Sequence, residues 1–210
     1  MSGHFITFEG SEGCGKSTQL ARLAAWLREQ GHDVVETREP GGTELGKNIR
    51  ELLMHRQGEE RLCSESELLL FAADRAQHVR QLIRPALAAG KTLLSDRYLD
   101  STTAYQGVAR KLSAENVAMI NRFATVDCLP DLTLVLDLPV ETGLERARQA
   151  TGQANDRMEA EAIAFYEAVR QGFLDLAEAE PQRIAVIDAD ADPDTVEARI
   201  RAVVSERRGL

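Results

Sequence analysis

Residues 10–17 read GSEGCGKS, shortly after the apolar run FITF at residues 5–8. A glycine, four further residues and then Gly-Lys-Ser form the pattern of a phosphate-binding loop. The context supports the pattern, because such a loop joins a strand to a helix, and apolar side chains recur at helical spacing through residues 17–30. The stretch therefore predicts a P-loop between the first strand and the first helix of an α/β domain.

The residue types within this loop suit the phosphates of a nucleotide. Glycines let backbone amides wrap phosphate oxygens, and the helix N-terminus adds unpaired amides and positive potential. Lys16 supplies a mobile positive charge, and the Ser17 hydroxyl is placed to bind Mg²⁺. We therefore expect a nucleotide as the ligand. The residues expected to bind it are Gly10, Ser11, Glu12, Gly13, Cys14, Gly15, Lys16, Ser17 and Thr18.

Short apolar runs alternate with segments of helical spacing along the rest of the chain. The runs predict strands at 5–8, 34–35, 92–95, 132–137 and 184–187. Helices are predicted at 17–30, 45–54, 65–80, 86–89, 114–125, 141–149, 159–179 and 194–206. Pro85 should divide or restart a helix. This alternation predicts an α/β P-loop NTPase fold, a three-layer sandwich whose five-stranded, mainly parallel sheet is flanked by helices. We expect residues 1–210 to form a single domain.

The acidic balance of the chain restricts its partners. The formal net charge is −9 over 210 residues, so a broad basic surface for nucleic acid is not expected. No apolar stretch approaches the ~20 residues of a membrane span, and no signal-peptide pattern is visible. The three cysteines form neither a metal motif nor an even disulfide set. Cys14 is interpreted either as a tolerated small side chain or as an oxidation-sensitive thiol. The sequence predicts a cytoplasmic protein that binds small molecules.

A P-loop alone leaves the reaction open, because kinases, GTPase-type switches and ATP-driven assembly proteins share it. A GTPase would be expected to carry NKxD and DxxG motifs, and neither occurs here. Instead, the third strand ends in SDRY at residues 95–98. Asp96, at the carboxyl end of a parallel strand, would face the ligand crevice and hold Mg²⁺ directly or through water. The fork of Arg97 suits a second phosphate group.

Six short motifs occur in a fixed order: the P-loop with Glu12, REPGGT at 38–43, FAADR at 71–75, DRY at 96–98, YQG at 105–107 and DR at 156–157. In their order and spacing the chain resembles the thymidylate kinase family from about residue 5 to about residue 200. The resemblance implies transfer of the γ-phosphate of ATP to thymidine 5′-monophosphate, giving thymidine diphosphate for DNA precursor synthesis, and a homodimer. A kinase for another nucleoside monophosphate and a partner-dependent ATPase remain the alternatives.

The resemblance also implies roles at the acceptor site. Phe71 would stack on the thymine ring, and Arg75, four residues on, would hydrogen-bond the base edge. Plain core packing and a solvated charge are the alternatives for these two side chains. Tyr105 would lie against the sugar and disfavour a 2′-hydroxyl, and Glu12 would reach the 3′-hydroxyl or the water shell of the metal. The substrate-binding residues expected are Glu12, Arg38, Phe71, Arg75, Arg97, Tyr105 and Gln106.

Catalytic charge is expected from a lid segment at residues 146–158. Phosphoryl transfer depends on positioning and on positive charge around the transferred group, and the attacking phosphate oxygen needs no general base. The P-loop contains no arginine, so the resemblance implies the bacterial type with a lid arginine. Relatives often carry Arg-Gly within this loop, whereas this chain has Thr-Gly at 151–152. The order of candidates is Arg148, Arg157 and then Arg146. The catalytic residues expected are Lys16, Arg97, Arg148 and Arg157.

Overall fold

A five-stranded sheet forms the centre of the computed structural model, which describes residues 3–54, 62–151 and 162–210. All strand pairings are parallel, in the order β2-β3-β1-β4-β5. The strands are β1 (Phe5–Glu9), β2 (Val34–Arg38), β3 (Thr92–Asp96), β4 (Leu132–Asp137) and β5 (Ile184–Asp188). The predicted fold class is confirmed, because each apolar run forms a strand where the sequence predicted one.

Helices connect successive strands and cover both faces of the sheet. The helices of the described ranges are α1 (Lys16–Glu29), α2 (Glu44–Met54), α3 (Ser64–His78), α4 (Arg84–Ala88), α5 (Leu99–Thr102), α6 (Ala114–Thr125), α7 (Val140–Thr151), α8 (Ile163–Ala179) and α9 (Pro193–Arg208). Two π-helical segments, Val79–Ile83 and Thr103–Ala109, join α3 to α4 and extend α5. None of the helices in these ranges is long and apolar enough to cross a membrane.

Strand alternation divides the core into clusters on opposite faces of the sheet. Ile6 and Phe8 of β1 point toward α1 and α9, where Leu23 and Ile200 belong to the same buried cluster. Phe5 points to the other face and packs with Val79 of the first π-helical segment. Burial on both faces explains why β1 and β4 carry apolar side chains at consecutive positions.

The boundaries of two predicted helices differ in the structure. The predicted helices 65–80 and 86–89 belong to a nearly continuous helical run, in which Pro85 lies in the first turn of α4, directly after the π-helical segment Val79–Ile83. The predicted helix 159–179 is described from Ile163 onward, and its earlier residues lie outside the described ranges. The sequence analysis did not predict α5 and the π-helical segment Thr103–Ala109. Helical segments of this kind are frequent at functional sites.

Candidate active site

The loop after β1 adopts a conformation that only glycines reach easily. Gly10, Gly13 and Gly15 have φ angles of 134°, 69° and 92°. A Cβ atom on Gly13 would lie 1.9 Å from the carbonyl oxygen of Gly143 in α7, so the loop and this helix approach backbone to backbone. Lys16 Nζ donates to the carbonyl oxygens of Gly10, at 3.2 Å, and Ser11, at 2.8 Å. The ammonium group therefore lies against the backbone of the loop.

Two oxygen ligands suitable for a divalent cation meet beside the loop. Ser17 Oγ donates to Asp96 Oδ2 at 2.7 Å, because the start of α1 and the end of β3 lie at the same sheet edge. In the described part of the chain no group of three or more His, Cys, Asp or Glu residues could hold a metal. Mg²⁺ commonly takes one or two protein oxygens and completes its shell with water and phosphate. The Ser17 hydroxyl and the Asp96 carboxylate fit this mode of coordination.

A large cleft of about 760 Å³ extends over the loop and is called the P-loop cleft. One end is lined by apolar or small side chains, among them Ala147, Ala189 and Val196. Arg146 also lines it, and its guanidinium lies 3.5 Å from the carbonyl oxygen of Ala189 and 3.8 Å from an Asp190 carboxylate oxygen. The cleft therefore offers an anion-binding floor and an end lined by apolar or small side chains.

A smaller cavity of about 100 Å³, called the inner pocket, lies next to the cleft. Its lining comprises Glu12, Glu39, Pro40, Arg50, Met54, Phe71, Arg75, Arg97, Tyr98, Ser101, Thr102, Tyr105 and Gln106. Four of these residues also line the P-loop cleft, namely Glu12, Glu39, Arg50 and Arg97. The two cavities therefore meet at two carboxylates and two guanidinium groups.

Arg97, Glu12 and Tyr105 form a linked cluster at this junction. Arg97 Nη2 donates to Glu12 Oε1 at 2.6 Å and to the Tyr105 hydroxyl at 3.2 Å. The Tyr105 hydroxyl in turn donates to Glu12 Oε1 at 3.2 Å. Burial favours the neutral form of Glu12, but the positive charges of Arg97 and Lys16 prevail and lower the pKa of this carboxyl. Glu12 is therefore a carboxylate that orients Arg97.

Arg75 is buried, with 1% of its surface exposed, and its fork is held on every side. Nε donates to Glu39 Oε2 at 2.8 Å, and Nη2 donates to the carbonyl oxygen of Tyr98 at 3.0 Å. Nη1 donates to Thr102 Oγ1 and Asn121 Oδ1, both at 2.9 Å. These bonds use four of the five N–H groups, so within the described residues one Nη2 hydrogen remains for a ligand in the inner pocket. The burial excludes the alternative of a solvated helix charge.

A buried chain of side chains supports Arg75 from behind. Glu39 Oε1 lies 2.9 Å from His78 Nδ1, and His78 Nε2 lies 2.7 Å from Thr37 Oγ1. Asp74 Oδ1 accepts from the amide of Gly41 at 3.1 Å, which fastens the turn after β2 to α3. Burial, with a contribution from Glu39, raises the pKa of Asp74 to about 6.

The remaining site residues from the sequence analysis differ in their placement. Phe71 is half-buried in the wall of the inner pocket, and Gln106 lines it while donating to Glu67 at 2.8 Å. Arg38 is exposed at the end of β2, in register with Asp96, and lines the P-loop cleft. Arg148 is exposed on α7, whereas Arg157 lies outside the described residues.

Sequence reasoning missed Arg50 and Glu39, which line both cavities. Arg50 Nη1 donates to the carbonyl oxygen of Pro40 at 3.2 Å, and this contact directs α2 toward the junction. The sequence signal for Arg50 was its position on α2, because this helix directly follows the glycine turn of the REPGGT motif. Glu39 is the second residue of that motif, so the motif contained a signal for it that the sequence analysis did not use.

The parallel sheet, the P-loop, the Ser17–Asp96 pair and the second joined cavity define a P-loop phosphotransferase whose phosphate-binding cleft adjoins a second pocket. A family model described as thymidylate kinase matches residues 8–200. The chain belongs to the thymidylate kinase family, and the resemblance drawn from the six sequence motifs is confirmed.

Several known proteins are similar to nearly the whole chain. A thymidylate kinase of Pseudomonas entomophila is 54% identical over 204 residues, which is 97% of this chain and 96% of that protein. A thymidylate kinase of Clavibacter sepedonicus is 50% identical over 202 residues, covering 96% and 94%. The crystal structure of thymidylate kinase from Ehrlichia chaffeensis superimposes with a TM-score of 0.78 at 35% identity, covering 97% of this chain and 99% of that one.

Proposed function

We propose that the chain transfers the γ-phosphate of ATP to thymidine 5′-monophosphate and so supplies thymidine diphosphate for DNA precursor synthesis. The observation that carries the proposal is the junction of the P-loop cleft with the inner pocket at Glu12, Glu39, Arg50 and Arg97. A phosphate donor in one cavity and a monophosphate in the other would face each other there. This arrangement suits in-line transfer between two bound anions.

The inner pocket suits a pyrimidine base. Phe71 offers a ring face for stacking, and the remaining Nη2 hydrogen of Arg75 offers a donor for a base carbonyl. Because four fixed bonds hold the fork of Arg75, the donor points in one direction before a ligand arrives. This pre-organisation supports recognition of thymine by Phe71 and Arg75, with Gln106 in the same wall.

Tyr105 is the residue we assign to the sugar. Its hydroxyl is linked to Glu12 and Arg97, and its ring packs edge-on against Phe165 and Phe173, with centroids at 6.1 and 6.3 Å. A ring held at both ends cannot retreat from an added 2′-hydroxyl, which supports a preference for deoxynucleotides. Glu12 would accept from the 3′-hydroxyl.

Three arginines would surround the acceptor phosphate. Arg97 and Arg50 line both cavities at the junction, and Arg38 lines the P-loop cleft from the end of β2. Their charge would bind a phosphate whose oxygen is already anionic, so the attack needs no general base. Glu12 would keep Arg97 oriented during the reaction.

The P-loop cleft would hold ATP. Backbone amides of residues 10–15, Lys16 and Thr18 would bind its phosphates, and the apolar end near Ala189 and Val196 would receive adenine. Ser17 and Asp96 would hold Mg²⁺, which would neutralise charge on the phosphate oxygens when bound. Lys16, which now contacts two loop carbonyl oxygens, would turn its ammonium toward the outer phosphates.

We retain Arg148 as the first candidate for lid charge and Arg157 as the second. Arg148 lies on α7, whose Gly143 touches the backbone of the P-loop, so the helix is anchored beside the reacting phosphates. Arg146 is the weaker candidate because it already contacts Ala189 and Asp190. Lid residues 146–158 would belong to one kinase domain with the rest of the chain.

We also propose a homodimer acting in the cytoplasm, where the pools of ATP and free nucleotides lie. Leu69 on α3 and Met119 and Phe123 on α6 are 57%, 59% and 84% exposed. These two neighbouring helices offer an apolar face suited to a second copy of the chain. Sedimentation analysis of the wild type and of Phe123→Lys would test this, since the substitution should shift the protein toward monomer.

The decisive experiment supplies MgATP and compares the monophosphates of thymidine, deoxyuridine, cytidine, guanosine and adenosine. We expect ADP formation to depend on the acceptor, with kcat/KM for the thymidine compound at least about tenfold above the others. A different preferred acceptor would make the chain another nucleoside monophosphate kinase. Phosphate release without any acceptor would instead favour an ATPase.

A further inference from the structure

Arg97 has an unusual backbone conformation that needs support from its neighbours. Its φ angle is 70°, in the left-handed region that side chains other than glycine rarely adopt. The amide of Arg97 donates to the carbonyl oxygen of Phe8 at 2.9 Å, and its own carbonyl oxygen accepts from Ser95 Oγ at 2.8 Å. The next amide, that of Tyr98, reaches a side chain rather than another backbone group. The direction of the Arg97 side chain therefore depends on that partner.

The partner of the Tyr98 amide is Glu9, the last residue of β1, which is completely buried. Glu9 Oε1 accepts from the amides of Tyr98, at 2.8 Å, and Ser101, at 3.2 Å. Its Oε2 accepts from Ser101 Oγ at 2.5 Å. One carboxyl group thus ties the end of β1 to both sides of the turn that carries Arg97.

Ser101 extends this support to the guanidinium group. Arg97 Nη1 donates to Ser101 Oγ at 3.1 Å, so Oγ bridges Glu9 and Arg97. Burial and the charge of Asp100 raise the pKa of Glu9 to about 8. In either protonation state one hydrogen lies between Oε2 and Oγ, so the bridge persists. Its geometry depends on the length of the Glu9 side chain.

We propose that Glu9 is a positioning residue for phosphoryl transfer, which aims Arg97 at the acceptor phosphate through the Tyr98 amide and the Ser101 hydroxyl. Glu9 lines neither the P-loop cleft nor the inner pocket, and it therefore acts through Arg97 rather than on a ligand. The inference rests on the proposed function, because it takes the role of Arg97 from there. Glu9 belongs neither to the P-loop pattern nor to the DRY motif.

The test compares two substitutions of Glu9 that differ in reach. Glu9→Asp keeps the acid but retracts it by one methylene, so it cannot span both amides and Ser101. We expect it to lower kcat/KM for thymidine monophosphate about tenfold while KM for ATP stays nearly constant. Glu9→Gln keeps the reach, accepts from both amides and donates to Ser101, and should stay within about threefold of wild type. Equal losses in the two variants would contradict a role set by length.

A double-mutant cycle with Arg97→Ala separates positioning from general stability. In the Arg97→Ala background, Glu9→Asp should change kcat/KM by less than about twofold, because the group it aims is gone. The same tenfold loss in both backgrounds would overturn the proposal. An Arg97→Ala variant with unchanged acceptor kinetics would instead refute the proposed role of Arg97 itself.

Two further variants distinguish positioning by Glu9 from a general loss of stability. Thr7→Val lies two residues earlier on the same face of β1 and removes an equally buried hydroxyl, whose partner is Thr133 at 2.8 Å. It should lower the melting temperature without changing acceptor kinetics. If Glu9→Asp does not fold, Ser101→Ala breaks the bridge instead. Its loss in kcat/KM must disappear in the Arg97→Ala background, and its persistence there would overturn the proposal.

Discussion

The P-loop cleft and the inner pocket are formed by different kinds of chemical group. The cleft relies on backbone groups of a glycine-rich loop, on one lysine and on the Ser17–Asp96 pair, all set by contiguous motifs. The inner pocket relies on buried charged side chains, above all Arg75, whose partners come from several distant parts of the chain. Backbone groups stay in place when neighbouring side chains are substituted. In a network of buried charged side chains, the loss of one member leaves its partners without a hydrogen bond. The two regions should therefore respond differently to substitution.

The largest expected effect lies in the P-loop cleft. Lys16→Ala should lower kcat about 10³-fold, because it removes the positive charge meant for the transferred phosphate. Steady-state kinetics with MgATP and thymidine monophosphate measure this, and the exposed Lys47→Ala is the matched control. The free energy of unfolding should change little. A kcat near that of wild type would show that the cleft does not depend on this lysine.

The next effect tests the inner pocket through Arg75. Arg75→Lys keeps a charge beside Glu39 but loses the fork, so the acceptor KM should rise about 10- to 100-fold and the melting temperature should fall. The KM for ATP should remain unchanged, since Arg75 lines only the inner pocket. Arg80→Lys, exposed on the following π-helical segment, is the control. An unchanged acceptor KM would remove Arg75 from the binding site.

A third prediction concerns the pH dependence of stability. The pKa of Asp74 is about 6 in the folded chain against an ordinary 3.8, so its contribution to stability is present at low pH and is lost as pH rises through about 6. Asp74→Asn keeps an oxygen for the Gly41 amide and avoids the buried charge. The free energy of unfolding of this variant, relative to that of wild type, should therefore rise by about 1–3 kcal/mol from pH 4.5 to pH 7.5. Urea unfolding at both values measures the gain, and a constant difference between the two proteins would contradict it.

The smallest effect should come from the Tyr105 hydroxyl, which belongs to the junction of the two cavities. Tyr105→Phe removes its bonds to Glu12 and Arg97 but leaves the ring packed. We expect about a fivefold loss of discrimination between deoxythymidine and ribothymidine monophosphates, near 1 kcal/mol. Competition between the two acceptors measures it. Complete loss of discrimination would assign selectivity to the hydroxyl rather than to the ring.

The sequence predicted those features whose determinants are local. Each strand is a short apolar run, and the P-loop is one contiguous motif, so both were predictable without knowledge of the fold. The burial of Arg75 was not predictable in this way. Its partners Glu39, Thr102 and Asn121 lie 36, 27 and 46 positions away, and no local pattern encodes such distances. Only the resemblance to a family placed Arg75 near a ligand.

Glu9 shows the same limitation more sharply. As the last residue of an apolar strand, it resembled an ordinary strand-end carboxylate in the sequence. Its three bonds to Tyr98 and Ser101 arise because β1 and β3 are neighbours in the sheet, although their last residues, Glu9 and Asp96, are 87 positions apart in the chain. The parallel pairing of β1 with β3 therefore creates this contact. The contact becomes visible only when the order of the strands in the sheet is known.

The contact between Gly13 and Gly143 has a consequence for how this chain can vary. A Cβ atom at Gly13 would lie 1.9 Å from the carbonyl oxygen of Gly143, and one at Gly143 would lie 2.4 Å from that of Glu12. Both obstacles are backbone atoms, so no substitution elsewhere creates room for either methyl group. In a saturation library selected for growth, the two positions should accept nothing but glycine, singly or together. Their neighbour Cys14 already carries a side chain, which is buried in the core cluster, so at this position the same loop should accept other small residues.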